Sequence, residues 1–498
     1  MICSAHRGAV LRPVQLSAIA LLVCLSGCIG GEGIKPEASF IDPASVDAGA
    51  AVRAASNDAQ WPTTEWWQKW HDPQLDQLIT RAVAGSPNLA IVRSRVTAAI
   101  WQAQALHANE LPELDSSADL ERTRFARFEY PVPPGGSNAW NNSVALDLSY
   151  DLDLWGKERA IEQGALKNVH AAVADAQFSK IELQAAVART YNQLALQYAL
   201  LDVYQSINED EKHNVDIATK RRKAGIGTDV DLSQAKTQYE VGITDVIRTQ
   251  NEIALARLQI AYLVGEGPGF GDSLSRPLPP ADVEIDLPTS VPAEIISHRP
   301  DVVAQRWRAS AAAEEVHAVH ADFYPNINLV ASASLASLTP FGGFFNFINS
   351  DSVSHSVGFA ASLPIFDAER RRGHYGVATA EYDDAVLKYN DTVLVAMQSV
   401  AQQVTTMHSL KDQQMSVENA LVSSRRSYDL ADRGYRGGIT EYLDVLVAQR
   451  VMLQQEIRLA LIQARRVDEW TLLIKDLGGG SEVLAMPSDV KSGGDNAR

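Results

Sequence analysis

The fold of this chain is decided by residues 157–224, which read KERAIEQGALKNVHAAVADAQFSKIELQAAVARTYNQLALQYALLDVYQSINEDEKHNVDIATKRRKA. No proline occurs between Lys157 and Pro268, and large apolar residues recur every three or four positions, as one face of a helix requires. These residues are Leu183, Val187, Tyr191, Leu194, Tyr198 and Leu201. A helix of about 68 residues measures about 100 Å. It needs neighbours along its whole length, either as a stave in a barrel of helices or in an ordinary coiled coil or bundle.

Length, charge and cysteine content limit the class of protein. The chain has 498 residues, 46% of them hydrophobic, which is typical of a folded protein. A formal net charge of -17 argues against a nucleic-acid surface. The cysteines are Cys3, Cys24 and Cys28. The chain after Cys28 therefore has neither a disulfide nor a thiol nucleophile.

The N-terminus is typical of a secreted lipoprotein. Arg7 and Arg12 precede the apolar run Leu16 to Leu25, which is too short for a permanent membrane helix. The sequence LSGC that ends at Cys28 resembles a bacterial lipobox. We predict a signal peptide at 1–27, a lipidated Cys28 and an extended tether at 28–60. A plain signal peptide with an incidental cysteine is the alternative.

Two segments of the chain alternate between apolar and polar residues with the period of a β-strand. We predict β-hairpins at about 114–154 and at about 326–366. In the first, Val144, Leu146 and Leu148 alternate with Ala145, Asp147 and Ser149. Such strands suit a transmembrane β-barrel, although a soluble hairpin shows the same alternation.

The two halves of the chain repeat one plan. Pro300 follows Pro87, and Pro325 follows Pro112, at an offset of 213 residues, and the glycine-rich turns at 225–228 and 437–440 keep nearly the same spacing. We predict a first repeat at 61–275 with long helices at 157–264, and a second repeat at 292–478 with long helices at 367–477. A linker at 276–291 joins them, and the tail at 479–498 is expected to be disordered.

Four strands cannot close a barrel, and in lipid every strand edge must be paired. The chain must therefore oligomerise if its strands cross a membrane. Three copies would supply twelve strands, an even number within the known range.

Two turn motifs carry a family resemblance. The sequences AGIGTDVDL at 224–232 and YRGGITEYLDVL at 435–446, together with the lipobox and the duplicated halves, resemble the TolC-like outer membrane efflux proteins, and in particular the lipidated NodT branch. The resemblance implies an α+β membrane protein with a long α-helical coiled-coil barrel, internally duplicated, and a four-stranded contribution to a trimeric, twelve-stranded transmembrane β-barrel. The expected location is the outer membrane, with a lipid anchor and a large periplasmic extension.

The resemblance also implies a function and partners. Such a trimer passively conducts drugs or other small molecules, which it receives from a periplasmic adaptor protein and an inner-membrane pump of the resistance-nodulation-division class. It needs no cofactor and is not an enzyme. A duct for protein secretion and a coiled-coil lipoprotein scaffold without a pore are the alternatives. The transported substrates cannot be read from the sequence.

In this family the helical turns form a periplasmic tip that is closed at rest. The candidate gate residues are Asp229, Asp231, Arg433, Tyr435, Arg436, Glu441 and Asp444. The candidate adaptor contacts are Gly225, Gly227, Thr228, Gly437, Gly438 and Thr440. Valine stands at 447, where a constricting carboxylate is expected, so Asp444 is the candidate to replace it. For any single residue, an N-cap or a solvated helix end is the simpler interpretation.

No catalytic constellation and no metal site is predicted. His317 and His320 are spaced as neighbours on one helix face, but no Glu or Cys ligand lies near them at metal-site spacing.

Overall fold

A computed structural model describes residues 33–46, 63–277, 298–339 and 343–480. The predicted signal peptide, Cys28, most of the linker at 276–291 and the tail beyond Gly480 lie outside these residues. The chain divides into two compact units, each built from several stretches of sequence. One unit comprises residues 1–39, 97–171 and 305–388, and the other comprises residues 40–96, 172–304 and 389–498.

The first half contains four helices and two strands. Helix α1 (Pro73–Gly85) begins where Asp72 accepts a hydrogen bond from the Gln74 amide, and α2 spans Pro87–His107. Strands β1 (Glu113–Arg124) and β2 (Asn138–Asp151) follow. Helix α3 (Lys157–Lys223) has 67 residues, and α4 spans Asp229–Val264.

The second half repeats this order. It contains α5 (Pro300–Ala321), β3 (Asn326–Thr339), β4 (Val353–Ser362), α6 (Arg370–Arg436) and α7 (Tyr442–Asp476). Helices α5, α6 and α7 and strand β3 each begin 213 residues after their counterparts α2, α3, α4 and β1. Helix α6 has 67 residues, as α3 does. The predicted duplication is confirmed.

The strands end earlier than their alternating sequence suggests. Asp153 adopts a left-handed backbone (φ 28°), and its carboxylate accepts hydrogen bonds from the amides of Glu158 and Arg159. The chain thus turns from β2 into α3, although Leu152 and Leu154 continue the apolar pattern. In the second half, Ala368 and Glu369 have φ of 51° and 65°, so α6 begins at Arg370 and not at 367.

The four strands form one antiparallel sheet in the order β1-β2-β3-β4. One face is apolar, because the register aligns large apolar residues across the strands. They are Leu114, Leu120, Val144, Leu146, Leu148, Leu329, Leu335, Val353, Val357 and Phe359. The opposite face is acidic, with Glu113, Asp115, Asp119, Glu121, Asp147 and Asp151. Among the strand residues that the structure describes, this acidic face carries no lysine, arginine or histidine.

The larger core lies in the second unit. Trp66, Trp67 and Trp70 are buried there with Tyr191 and Trp470. Burial of these tryptophans supports packing rather than a membrane interface. The Tyr191 hydroxyl donates a hydrogen bond of 2.6 Å to Asp72, and burial together with this carboxylate raises the pKa of Tyr191.

Within the described ranges, no helix combines the length and the hydropathy needed to cross a membrane.

Candidate functional site

The first candidate turn joins α3 to α4. The amides of Ile226 and Gly227 both donate to the Arg221 carbonyl, at 3.0 and 3.1 Å, and so close the end of α3. Gly225 has φ of 78°, a left-handed conformation that glycine adopts without a steric penalty. At Gly227, a Cβ would lie 3.0 Å from the Arg222 nitrogen, so the turn has no room for a side chain there.

The second candidate turn joins α6 to α7 and has the same form. The amides of Ile439 and Thr440 donate to the Gly434 carbonyl, at 2.8 and 3.4 Å. Gly438 has φ of 74°, like its counterpart Gly225. The Thr440 hydroxyl donates to the Ala431 carbonyl at 3.2 Å. Gly437 belongs to the same closing turn, since its amide donates to the Arg433 carbonyl.

Two of the candidate gate carboxylates hold the starts of helices. Asp231 accepts a hydrogen bond from the Thr228 amide at 2.9 Å, and the Thr228 hydroxyl accepts one from the Asp231 amide at 3.1 Å. This is a capping box. Asp444 likewise accepts from the Glu441 amide at 3.2 Å. Thr228 is thus the N-cap of α4, and Asp444 already has a backbone partner.

The remaining charged candidates pair close to themselves in sequence. Asp229 pairs with Arg222 across the first turn, at 2.5 Å between Oδ1 and Nε. Arg433 lies 3.9 Å from Asp429, and Arg436 lies 3.1 Å from Asp432, each one turn earlier on α6. Among the described side chains of one chain, the predicted candidates form no ion pairs with one another. Their role in closing a channel stays a prediction.

Aromatic residues join the two turns. Tyr435 and Tyr442 are both 5% exposed, and their ring centroids lie 5.4 Å apart. The guanidinium carbon of Arg221, on α3, lies 4.8 Å from the centroid of the Tyr435 ring. Ala218, Leu232, Ala235 and Val445 complete this cluster, which we call the tip cluster. Tyr435 is therefore the predicted gate residue that links the two helical pairs.

Buried polar groups beside the tip cluster escaped the sequence analysis. Glu211 is 6% exposed, and burial raises the pKa of its carboxyl. Burial, together with Asp210 and Asp432, raises the pKa of Tyr428 to about 12. Gln449 is 2% exposed, and neither polar atom of its amide has a hydrogen-bond partner.

A groove of about 630 Å³ runs between α3, α4 and α7 at this place. Glu211 and Gln449 supply polar atoms to its wall, and Val241, Leu446 and Val447 supply apolar surface. Polar residues buried by α7 follow no periodicity that distinguishes them from solvated ones, so only their packing identifies them.

These turns and the duplicated sheet agree with comparisons to known proteins. A family model described as "Outer membrane efflux protein" matches residues 78–266 and 291–479, one match for each half of the chain. The chain belongs to the outer membrane efflux proteins. Members of this family are transporters and not enzymes, and an outer membrane efflux function follows.

Individual relatives agree with this family. The chain is 39% identical over 370 residues to the fusaric acid resistance protein FusA of Burkholderia cepacia, a match that covers 74% of this chain and 69% of the relative. It is 26% identical over 484 residues to the multidrug resistance outer membrane protein MdtP of Escherichia coli K12, covering 94% and 96%. The crystal structure of the outer membrane protein VceC of Vibrio cholerae superposes with a TM-score of 0.78 at 31% identity, covering 85% of this chain and all of that one. The predicted family is thus confirmed.

Proposed function

We propose that three copies of this outer membrane efflux protein form a passive channel for small molecules. The observation that carries the proposal is the sheet of four strands, whose two outer strands β1 and β4 each pair on one side only among the described residues. A transmembrane strand needs about 9–11 residues, and these strands have 12, 14, 14 and 10. Pairing of β1 with β4 of a neighbouring copy removes every open edge and gives twelve strands.

The two faces of the sheet fit this assembly. The apolar face carries Leu114, Leu146 and Phe359, which are all exposed in one chain and would meet lipid. The acidic face would line an aqueous lumen, where carboxylates remain hydrated. A soluble scaffold would gain nothing from leaving large apolar side chains on an exposed face, since burial of each contributes about 1.5–3 kcal/mol.

The N-terminal segment supports a lipid anchor at Cys28. Residues 33–46 run antiparallel to α6: the amides of Glu37 and Ala38 donate to Asp383, and Ile34 lies beside Gly376. The chain therefore heads toward the start of α6, which follows β4. Six extended residues reach about 20 Å, while α6 extends only about 9 Å beyond Gly376. Cys28 could thus reach the strand ends, where an acyl chain would meet the membrane.

The two helical turns are the proposed docking surface for the periplasmic adaptor and the inner-membrane pump. They present exposed apolar residues, including Ile226 and Ile439, beside glycines that keep the surface close to the backbone. The names of FusA and MdtP favour small toxic compounds over secreted proteins as cargo. Movement of cargo requires no energy source in this chain, since the pump supplies it.

A cysteine cross-linking experiment tests the closed barrel. We replace Ser116 on β1 and Val357 on β4 with cysteine in a Cys28→Ser background, and treat detergent-extracted protein with a short bifunctional thiol reagent. A ladder that ends at three chains is expected, together with channel conductance of the wild-type protein in planar bilayers. Each single-cysteine variant is the control and should not give the ladder. A ladder that ends at two chains, or a protein without conductance, would contradict the proposal and leave the scaffold interpretation.

Signal-peptidase II inhibition tests the anchor separately. The inhibitor should retain the signal peptide on the wild-type protein, and mass spectrometry of the untreated protein should find acyl chains on Cys28. Normal processing in the presence of the inhibitor would overturn the anchor without affecting the channel.

A further inference from the structure

A cluster of three titratable side chains lies where the first hairpin begins and ends. His107 is the last residue of α2, Glu110 ends the short turn before β1, and Glu162 lies near the start of α3. Their ligand atoms all lie within 4.8 Å of one another. The sequence analysis could not see this cluster, because Glu162 is far from the other two residues along the chain.

The carboxylates of Glu110 and Glu162 form a contact that needs a positive partner. Oε1 of Glu110 is fully enclosed and receives no hydrogen bond from a donor. Its nearest polar neighbour is another carboxylate, which has no proton to donate unless one of the two acids is protonated. A buried polar atom without a partner calls for a bound ion or a shared proton.

The third member of the cluster favours a metal ion. Nδ1 of His107 lies 2.8 Å from Oε1 of Glu162, so an imidazole nitrogen faces the same point as the two carboxylates. The His107 side chain is 46% exposed and that of Glu162 is 16% exposed, which leaves a path for an ion and for water ligands. The Arg159 guanidinium also acts on Glu110 and opposes a cation there.

We propose that His107, Glu110 and Glu162 bind one divalent transition-metal ion, with Zn²⁺ as the representative. One nitrogen and two oxygen ligands suit zinc at about 2.0–2.2 Å, and water fills the remaining positions. Small rotations of the three side chains bring their donor atoms together. Alkaline-earth ions prefer sites built from oxygen alone, so the imidazole favours the transition metals. The ion would connect the segment that enters β1 to the segment that leaves β2.

Zinc titration of the full-length protein tests the site. The protein is purified in detergent with a tag that lacks histidine, stripped with a chelator, and titrated with Zn²⁺ by calorimetry and by equilibrium dialysis with elemental analysis. One ion per chain is expected. His107→Asn and Glu110→Gln should each weaken binding by at least about tenfold, as loss of a supporting group around a metal already costs about 10–100-fold. Glu158→Gln is the matched control on the same helix, because Glu158 pairs with Asn109 and not with the cluster.

A second measurement needs no variant. Diethyl pyrocarbonate modifies free imidazole, and peptide mass spectrometry reports His107 separately from the other histidines. Zinc should protect His107 and leave His317 reactive, since His317 is exposed on another helix. A wild-type protein that binds no zinc, or that binds it equally well after both substitutions, overturns the proposal. In the first case a Glu110→Gln variant that raises the melting temperature would identify a shared proton instead.

Discussion

Arg221 and Tyr435 form the contact whose loss should most directly open the channel. Arg221 belongs to the first repeat and Tyr435 to the second, so any separation of the two turns breaks their contact. The guanidinium carbon lies 4.8 Å from the ring centroid, well inside the range of a cation–π interaction, and Tyr435 is almost fully buried. We expect Arg221→Met to raise the open probability, because methionine keeps the apolar stem and removes the charge.

The size of the effect follows from the geometry. A partly desolvated cation–π contact contributes about 1 kcal/mol. Three such contacts in the proposed trimer would contribute about 3 kcal/mol if the tip opens in one step, which corresponds to about a 150-fold change in the ratio of open to closed channels. If each chain moves independently, the change is about fivefold per chain.

Single-channel recording in planar bilayers measures this ratio. The design is a double-mutant cycle with Arg221→Met, Tyr435→Leu and the pair, because Tyr435→Leu also changes the packing of the tip cluster. Arg222→Met is the matched control: Arg222 is exposed, pairs with Asp229, and should change the ratio only slightly. If Arg221→Met opens the channel equally in the presence and absence of the Tyr435 ring, the contact does not hold the tip closed and our reasoning fails.

Three further predictions concern the sheet and the buried polar groups. Asp115 and Asp147 lie directly opposite each other on neighbouring strands, so Asp147→Asn should stabilise the hairpin by about 0.2–1 kcal/mol and lower the preference for cations in reversal-potential measurements, whereas Ser149→Asn should do neither. Gln449→Leu should raise the melting temperature, because it removes two unpaired polar atoms, each of which costs about 1–3 kcal/mol; an unchanged or lower value would indicate that the amide has a partner in the assembly. Burial raises the pKa of Glu211 above its usual 4.5. Its protonated form therefore stabilises the fold fully below pH 4.5, and this contribution is lost as the pH rises through the higher folded pKa; Glu211→Gln should flatten the dependence of the melting temperature on pH in this range.

The repeated architecture could be predicted because several independent patterns agree. The prolines at 87 and 300, the alternating strands and the glycine turns all keep a spacing near 213 residues, and the helices and strands begin at that spacing. Long helices without proline are well determined by periodicity, since one apolar face must repeat over many turns. Strand ends were less accurate, because a left-handed residue such as Asp153 ends β2 without interrupting the apolar alternation.

The candidate site was predicted in place but not in detail. Both turns contain the glycines that their backbone requires. Asp231 and Asp444 were assigned to a gate, although the spacings from Thr228 to Asp231 and from Glu441 to Asp444 already indicate capping boxes. The burial of Gln449 could not be predicted, since it depends on how α7 packs against other helices. Roles in gating depend on neighbouring chains, which one sequence does not specify.

The equal length of α3 and α6 has a consequence for the insertions that this lineage can accept. One residue added within α3 advances everything after it by about 1.5 Å and rotates it by about 100°. Arg221 would then leave the ring of Tyr435, although no residue of the contact had changed. We expect an insertion to persist only if α6 acquires a matching one, or if a local π-bulge absorbs the extra residue before the turn. Relatives of different helix length should therefore differ by the same number of residues in both halves.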